Sequence, residues 1–227
     1  MTERKAGAWS YSGIKTYEVC PLKYCAEKVT KVVQFEDNES TLYGKELHKA
    51  CEDYVGGKSP LDPRFSWMQG LLDNIKALPG DKYCELKMGI KKVDGQFEAC
   101  EFFDKSVFMR GIADVCIVND TLGHCFDYKT SKSSRYSDTR QLALMAAAMF
   151  LKFPKLEKIK AALLFVVAGD SVKVVYNRDQ AFDIFADLHE LLTQRDFSYT
   201  NDVWNARPNG LCARYCGYLE CEHNGKR

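Results

Sequence analysis

Four consecutive segments in the middle of the chain alternate apolar and polar residues or are rich in β-branched residues, and they constrain the fold more than any other feature. The segments are Tyr83–Val93, Gln96–Phe103, Val107–Val118 and His124–Lys129, with short polar breaks between them. Side chains on a strand alternate between the two faces of a sheet, and short breaks join neighbouring strands. The run therefore predicts successive strands of a largely antiparallel sheet.

Helical spacing appears on both sides of this run. Predicted helices cover Ser10–Val29 (interrupted at Cys20-Pro21), Thr41–Val55, Pro60–Leu78, Ser137–Phe153 and Asp179–Arg195, and two more strands cover Ile159–Val167 and Val172–Tyr176. The tail from Phe197 onward is predicted to be irregular. We expect an α/β fold, with a mixed sheet core flanked by helices, a helical N-terminal cover and a cysteine-rich C-terminal tail.

The domain organisation follows from length and from the absence of a linker. The sequence has 227 residues without an internal repeat, a low-complexity tract or a stretch rich in Pro, Gly and Ser. That length supports one substantial core. We predict a single domain over residues 1–227, with the helical cover at 1–80, the core at 81–196 and the tail at 197–227.

The charge balance narrows the classes of function. Lys and Arg together number 32, and Asp and Glu number 31, so the formal net charge is +1. A histone-like coating protein is excluded, because bulk phosphate binding requires a clear excess of positive charge. A nucleic-acid enzyme with a local basic groove is compatible with this balance.

Ten cysteines are the unusual number in the composition. The segment Met1–Trp9 is polar and lacks the apolar core of a signal peptide, and the longest apolar stretch, Ala161–Gly169, is too short to span a bilayer. We therefore expect a cytoplasmic protein in a reducing environment, with no membrane partner. Its cysteines are then small core residues or metal ligands.

Two carboxylates and a lysine fall on neighbouring predicted strands. Asp127 and Lys129 are two residues apart and project from one face, and a hairpin can bring Asp114 beside Asp127. Paired carboxylates suit Mg²⁺ or Mn²⁺, and a nearby lysine can orient or deprotonate water, or stabilise charge on a phosphate. The set suits metal-assisted hydrolysis of a phosphodiester. Taken alone, an Asp-x-Lys pair on a strand is more often a solvated ion pair.

These residues resemble a known family. Gly111-Ile112-Ala113-Asp114, followed by Asp127-Tyr128-Lys129-Thr130-Ser131, resembles the core of the PD-(D/E)XK nuclease superfamily in its RecB/AddB-type branch, which includes CRISPR-adaptation nucleases and phage exonucleases. Gly44-Lys45-Glu46-Leu47-His48 resembles that branch's Gly-x-x-x-His helix, and Arg140-Gln141-Leu142-Ala143-Leu144 the start of its Gln-x-x-x-Tyr helix. Met145 stands where the tyrosine is expected. The resemblance implies a restriction-endonuclease-like fold.

The resemblance also implies roles for the matched residues. The metal ligands would be His48, Asp114, Asp127 and the backbone carbonyl of Tyr128. Lys129 would orient the attacking water, and Gln141 would support the lysine or a phosphate. An imidazole ligand favours Mn²⁺ over Mg²⁺ relative to an all-oxygen site.

Two further acids are left open. Glu85 matches the acidic residue that begins the family's core sheet, and Glu52 lies one turn beyond His48 on the same helix face. Each could support the site or simply face solvent.

Three of the cysteines cluster in the loop-rich tail, where thiols of a reduced protein typically bind metal. Some members of the resembled branch carry a 4Fe–4S cluster on a Cys-Pro cysteine and three C-terminal cysteines. The resemblance implies such a cluster at Cys20, Cys212, Cys216 and Cys221. Cys25 lies close enough to Cys20 to replace it. The alternatives are a Zn²⁺ site at the three tail cysteines with His223, or unliganded thiols.

Positive charge follows the predicted metal strand at Lys132, Arg135 and Arg140, which either contact DNA phosphates or belong to an ordinary solvated loop. We expect a metal-dependent DNA exonuclease of recombination, repair or phage DNA processing. Its partners would be DNA, as single strands or duplex ends, and a recombination or annealing protein. The alternative is a nuclease-like module that binds DNA or a partner without cutting, and Met145 is the feature that supports it.

Overall fold

The computed structural model describes residues 6–34 and 37–226. The first five residues of the polar segment Met1–Trp9 lie outside the described part of the chain, as do residues 35, 36 and 227. The chain divides into two compact units, Met1–Glu36 with Phe185–Arg227, and Asp37–Ile184. The single domain over residues 1–227, with its three segments, stays a prediction.

The described residues form helices and strands in the following order. The α-helices are α1 (Tyr11–Val19), α2 (Pro21–Tyr24), α3 (Glu39–Val55), α4 (Gln69–Ala77), α5 (Arg140–Lys152), α6 (Asp183–Asp187) and α7 (His189–Asn201). A π-helix covers Cys25–Val29, and 3-10 helices cover Pro63–Met68 and Arg178–Gln180. The strands are β1 (Asp81–Val93), β2 (Gln96–Cys100), β3 (Val107–Asn119), β4 (Leu122–Lys129), β5 (Lys158–Phe165) and β6 (Asp170–Asn177).

All six strands form one mixed sheet in the unit Asp37–Ile184. Their order across the sheet is β2-β1-β3-β4-β5-β6. Neighbouring strands are antiparallel except β4 and β5, which are parallel because α5 carries the chain back between them. This mixed sheet confirms the predicted α/β fold with helices beside the sheet.

Helix α3 is positioned by its first residues and by its apolar face. Asn38 and Thr41 form a capping box, in which each side chain accepts a hydrogen bond from the other residue's backbone N–H. The apolar face of α3 packs with the neighbouring helices onto the sheet. The fully buried members of this core include Leu47, Cys51, Phe65, Met68, Leu72, Val115, Ile117 and Tyr128. The packing holds α3 against the strands that carry the predicted site.

Aromatic rings organise the unit formed by Met1–Glu36 and Phe185–Arg227. The rings of Tyr24 and Trp204 stack with centroids 6.1 Å apart, and Tyr17 meets both edge-on. The Tyr17 hydroxyl lies 2.7 Å from the Ser198 hydroxyl of α7. These contacts tie α1 and α2 to α7 within the unit.

Two sequence predictions are wrong at element ends. The predicted helix Asp179–Arg195 is interrupted between α6 and α7, and α7 continues to Asn201, so Phe197 is helical. Helix α7 buries Arg195 and Ser198 through polar contacts, which a search for apolar periodicity does not detect. Strand β2 ends at Cys100, where its pairing with β1 stops, rather than at the predicted Phe103. Within the described residues, none of the helices is long and apolar enough to cross a membrane.

Candidate active site

Three side chains from three elements converge beside the middle of the β1–β3 ladder. His48 comes from α3, Glu85 from β1 and Asp114 from β3. One ligand atom of each lies within 4.8 Å of the others. His48 Nδ1 is 3.3 Å from Asp114 Oδ2. Nitrogen and carboxylate oxygens at this separation fit a small divalent cation of the Mg²⁺ or Mn²⁺ type.

Glu85 reaches this group through an unusual backbone conformation. Strands β1 and β3 pair on both sides of it, Cys84 with Val115 and Leu86 with Ala113, but Glu85 itself is not paired. Its φ is 53°, in the left-handed region that costs a residue with a Cβ about 1–2 kcal/mol. Strain of this kind is held in place by the surrounding ladder. Sequence reasoning left Glu85 open because neither its spacing nor its residue type signals a positive φ.

Asp127, Lys129 and Gln141 form a second group from β4 and the first turn of α5. Lys129 Nζ lies 2.6 Å from Asp127 Oδ2 and donates to Gln141 Oε1 at 2.8 Å. The Gln141 amide nitrogen donates in turn to Asp127 Oδ1. The Asp127 Oδ2 atom is buried and, apart from the lysine charge, accepts no well-directed hydrogen bond within the described chain. The amide of Gln141 thus fixes both the carboxylate and the ammonium.

The backbone of Tyr128 joins the two groups. The β3–β4 ladder ends at the pair Val115 and Phe126, so the next residues of β4 have lost their backbone partners on β3. The Tyr128 N–H donates instead to Asp114 Oδ2 at 2.8 Å. The Tyr128 side chain is fully buried, and its ring meets the His48 ring edge-on at 5.9 Å. The metal-binding role of the Tyr128 carbonyl stays a prediction.

The pKa shifts indicate an excess of negative charge at the site. Burial raises the pKa of Asp127, and nearby Asp114 raises it further, against the opposing charge of Lys129. Burial and the charge of Asp114 also raise the pKa of Glu85. For His48, burial lowers the pKa, but the hydrogen bond to Asp114 and the charges of Asp114 and Asp127 outweigh it, so its pKa is raised. A bound cation would offset this excess of negative charge.

The remaining predicted residues near the site have other partners or lie in the following loop. Glu52 pairs with Lys58 and with Lys49, so its charge is engaged on the helix surface. Arg140 forms a bidentate contact with Asp138, at 3.1 and 2.7 Å. Lys132 and Arg135 lie in the loop of residues 130–139, between β4 and α5. Their contact with DNA stays a prediction.

Met145 is a core residue of α5. It is 3% exposed, and its Cε would lie 2.3 Å from a Cβ placed on Gly111. A side chain at position 111 would therefore displace the end of the methionine that packs over it. The residue that replaces the tyrosine of the Gln-x-x-x-Tyr pattern is therefore buried.

The four cysteines predicted to bind a cluster line one cavity in the unit Met1–Glu36 with Phe185–Arg227. Cys20, Cys212, Cys216 and Cys221 share its wall with His223. All four are half-buried free thiols. Two of their sulfur atoms accept backbone hydrogen bonds at 3.4 Å: Cys20 from the N–H of Arg207, and Cys212 from that of Asn209. Hydrogen bonds to the ligating sulfur atoms are also a feature of iron–sulfur sites.

The spacing of these thiols bears on the kind of metal. A tetrahedral zinc site with Zn–S bonds of about 2.3 Å holds its sulfur atoms roughly 4 Å apart. Among the described residues, His48, Glu85 and Asp114 form a group in which all ligand atoms lie within 4.8 Å of one another. No three of the cysteines bring their sulfur atoms together in this way. In every set of three of these cysteines, at least one pair of sulfur atoms is therefore more than 4.8 Å apart. An iron–sulfur cluster holds its thiolates farther apart, because its own atoms stand between them.

Comparisons with known proteins were made on sequence and on structure. Residues 8–221 match the sequence profile of the PD-(D/E)XK nuclease superfamily. No curated protein matches the sequence. The crystal structure of SSO0001 is similar in fold, with a TM-score of 0.51 and 15% identity, over 97% of this chain and 88% of that one. A "Putative exonuclease" from Eubacterium rectale is similar at a TM-score of 0.51 and 12% identity, over 92% and 86% of the two chains.

Proposed function

Because the chain belongs to the PD-(D/E)XK nuclease superfamily, we propose that it is a metal-dependent DNA exonuclease that hydrolyses phosphodiester bonds. The family predicted from the motifs is confirmed, and the six-stranded mixed sheet is consistent with the restriction-endonuclease-like fold of that superfamily. The RecB/AddB-type branch and a role in recombination, repair or phage DNA processing belong to the proposal. The observation that carries it is the convergence of His48, Glu85 and Asp114 beside the Asp127–Lys129 pair.

The cation site we propose is built from residues that already lie together. His48, Asp114 and Asp127 would hold Mg²⁺ or Mn²⁺, with the carbonyl of Tyr128, and Glu85 joins this set from the structure. The cation would polarise the phosphate and offset the negative charge that develops on it during hydrolysis. The Tyr128 N–H holds one Asp114 oxygen in place, which leaves the other oxygen of that carboxylate for the cation.

Lys129 is the residue we propose to act on water. Its side chain is one-third exposed, so Nζ can contact both solvent and the buried Asp127 carboxylate. The contact with Gln141 restricts the lysine to one orientation. Held there, Nζ would orient the attacking water or accept its proton. Lys132, Arg135 and Arg140 are proposed to contact the phosphates of the bound strand.

A cleavage assay tests this proposal. Labelled single-stranded and duplex DNA, with free or blocked 5′ and 3′ ends, is incubated with the full chain and Mn²⁺. We expect shortening from a free end, and a loss of about 10²–10⁴-fold in rate for Lys129→Ala, the range typical of a positioned acid–base group. Lys91→Ala is the matched control, because that lysine pairs with Glu98 on the β1–β2 hairpin. Cleavage by Lys129→Ala at the wild-type rate would refute the assignment.

The second candidate is a nuclease-like module that binds DNA, or a recombination or annealing protein, without cutting. Its sequence support was Met145, and the burial of that residue weakens it, because a buried tyrosine at this position would not have contacted DNA. The same assay separates the two candidates: DNA binding with no cleavage in Mn²⁺ or Mg²⁺ favours the module.

We further propose a 4Fe–4S cluster on Cys20, Cys212, Cys216 and Cys221, with Zn²⁺ as the alternative. The shared cavity and the two N–H donors to sulfur support a metal site at these four cysteines. Cys25, predicted as a substitute for Cys20, is buried within the π-helix and is a weaker candidate. Such a cluster, and ten free thiols, suit a protein of the reducing cytoplasm.

Metal analysis after anaerobic purification tests the cluster. We expect iron and inorganic sulfide with visible thiolate-to-iron absorbance, all lost in Cys212→Ala. Cys100→Ala is the matched control, because that half-buried cysteine lies on β2. A colourless protein that contains zinc would overturn the cluster in favour of the alternative.

A further inference from the structure

The loop of residues 130–139 has both ends at the candidate active site. Lys129 precedes it on β4 and Gln141 follows it on α5, and these two side chains are hydrogen-bonded at 2.8 Å. A chain of five residues spans at most about 18 Å, so Tyr136 lies within that distance of Gln141, Cα to Cα. Tyr136 is therefore within reach of a DNA strand of a few nucleotides bound at the site.

The exposed large hydrophobic side chain of this loop is aromatic. Tyr136 is 85% exposed. The guanidinium of Arg135 lies over its ring, 5.5 Å from the centroid. This pair presents an apolar ring face and a positive charge to solvent together.

Hydrogen bonds on either side of Tyr136 hold the loop in this conformation. The Ser134 hydroxyl donates to the Asp170 carboxylate, and the Ser137 N–H donates to the Ser134 carbonyl at 2.9 Å. Asp138 is paired with Arg140. The charge of Asp138 is thus offset by Arg140, and Lys132 and Arg135 are basic side chains that the loop exposes to an approaching phosphate.

We propose that Tyr136 is a stacking platform for an unpaired base of the DNA strand that enters the site. Bases inside a duplex are stacked on both sides, so an exposed ring can stack only on an unpaired or frayed base. The neighbouring Arg135 suits the phosphate of the same nucleotide. The inference rests on the proposed nuclease function and deepens it: the substrate class is single-stranded DNA or a duplex end with a single-stranded extension.

Binding measured without cleavage tests the inference. The full chain is titrated in EDTA with a single-stranded oligonucleotide that carries 2-aminopurine, a base whose fluorescence is quenched by stacking, and with a blunt duplex. We expect Tyr136→Ala to weaken single-strand binding about 10-fold, within the range for one base–aromatic stack, and to lose the quenching. Tyr136→Phe should retain both, because stacking needs the ring and not the hydroxyl.

Phe103 provides the matched control. It is 75% exposed, and the guanidinium of Arg110 lies 5.7 Å from its ring centroid, so it repeats the same pairing on the β2–β3 connection. Phe103→Ala should leave both readouts unchanged. Equal affinity and equal quenching for wild type and Tyr136→Ala would overturn the stacking role, as would an equal loss in Phe103→Ala. Failure to bind or cleave any DNA would instead overturn the proposed function itself, which keeps the two failures distinct.

Discussion

Tyr128 donates its backbone N–H to the Asp114 carboxylate, at 2.8 Å, just beyond the end of the β3–β4 ladder. In a continued ladder this N–H would find a backbone carbonyl, but here the strands have separated and a side chain takes that place. One carboxylate therefore completes the backbone hydrogen bonding of β4 and contacts His48 as well. Asp114 therefore has a structural role and a proposed role in metal binding, and different substitutions can remove one role without the other.

Asp114→Asn should keep the hydrogen bond to the Tyr128 N–H but remove the charge that binds the metal. The amide oxygen can still accept from Tyr128, so the free energy of unfolding should stay near that of the wild type, whereas Mn²⁺ binding should be lost with the charge. Asp114→Ala removes the acceptor as well and leaves a part-buried N–H without a partner, which costs about 1–3 kcal/mol. Urea unfolding and calorimetric titration with Mn²⁺ measure the two effects. Equal stability of the two variants would contradict the structural role of the carboxylate.

Glu85→Gly should make the protein more stable and less able to bind metal. Glycine adopts the observed φ of 53° without the penalty of a Cβ, so we expect a gain of up to about 1 kcal/mol in the free energy of unfolding, with weaker Mn²⁺ affinity. Asp120→Gly is the matched control, because its φ is 51° in the β3–β4 turn. It should gain some stability with unchanged Mn²⁺ affinity. Unchanged affinity in Glu85→Gly would remove that residue from the site.

The candidate site was predictable from sequence wherever strand periodicity alone places a side chain. Asp127 and Lys129 share a face because they are two residues apart, and the structure joins them at 2.6 Å. Glu85 was not predictable in the same way, because its direction depends on a single left-handed residue within a long strand. A local backbone exception of this kind is set by tertiary packing rather than by residue type.

Some elements of the fold were likewise predictable from apolar periodicity, and others were not. The strand run and α5 were predictable because their apolar periodicity is strong, and the parallel β4–β5 pair follows from the helix between them. The continuation of α7 to Asn201 was not, since Arg195 and Ser198 are buried polar residues that bond to the distant Gly7 carbonyl and Tyr17 hydroxyl. Hydrogen bonds between distant residues leave no periodic signal.

Gln141→Leu should slow cleavage while leaving DNA affinity intact. Leucine cannot hold Lys129 or donate to Asp127, so the lysine becomes mobile and the buried carboxylate loses a donor. For a residue that acts through others in this way, we expect a 10- to 100-fold loss of kcat with little change in KM. Steady-state kinetics in Mn²⁺ measure it. Gln180→Leu, which loses only a surface contact with Asn177, is the control and should retain full activity.

His124 should contribute a loss of stability as the pH falls below about 6.5. Burial lowers the pKa of this histidine, and the charge of Lys160 lowers it further. Below about pH 6.5 the unfolded chain binds a proton that the native state does not, so this group destabilises the fold as the pH falls, by at most about 1.4 kcal/mol per pH unit. His124→Gln should flatten this part of the stability curve from urea unfolding. His189→Gln, at an exposed position, should leave it unchanged.

Met145→Tyr, which completes the Gln-x-x-x-Tyr pattern, should destabilise the protein rather than improve it. Met145 is buried, and the end of its side chain fills the space beside Gly111, so a phenol ring would overpack the contact between α5 and β3. Overpacking of this kind costs about 1–3 kcal/mol, whereas the similar volume of Met145→Leu should cost less than about 1.5 kcal/mol. Thermal unfolding compares the two variants, and a gel-shift assay with single-stranded DNA compares their affinities. A tyrosine variant as stable as the wild type, with tighter DNA binding, would show instead that this position faces the substrate.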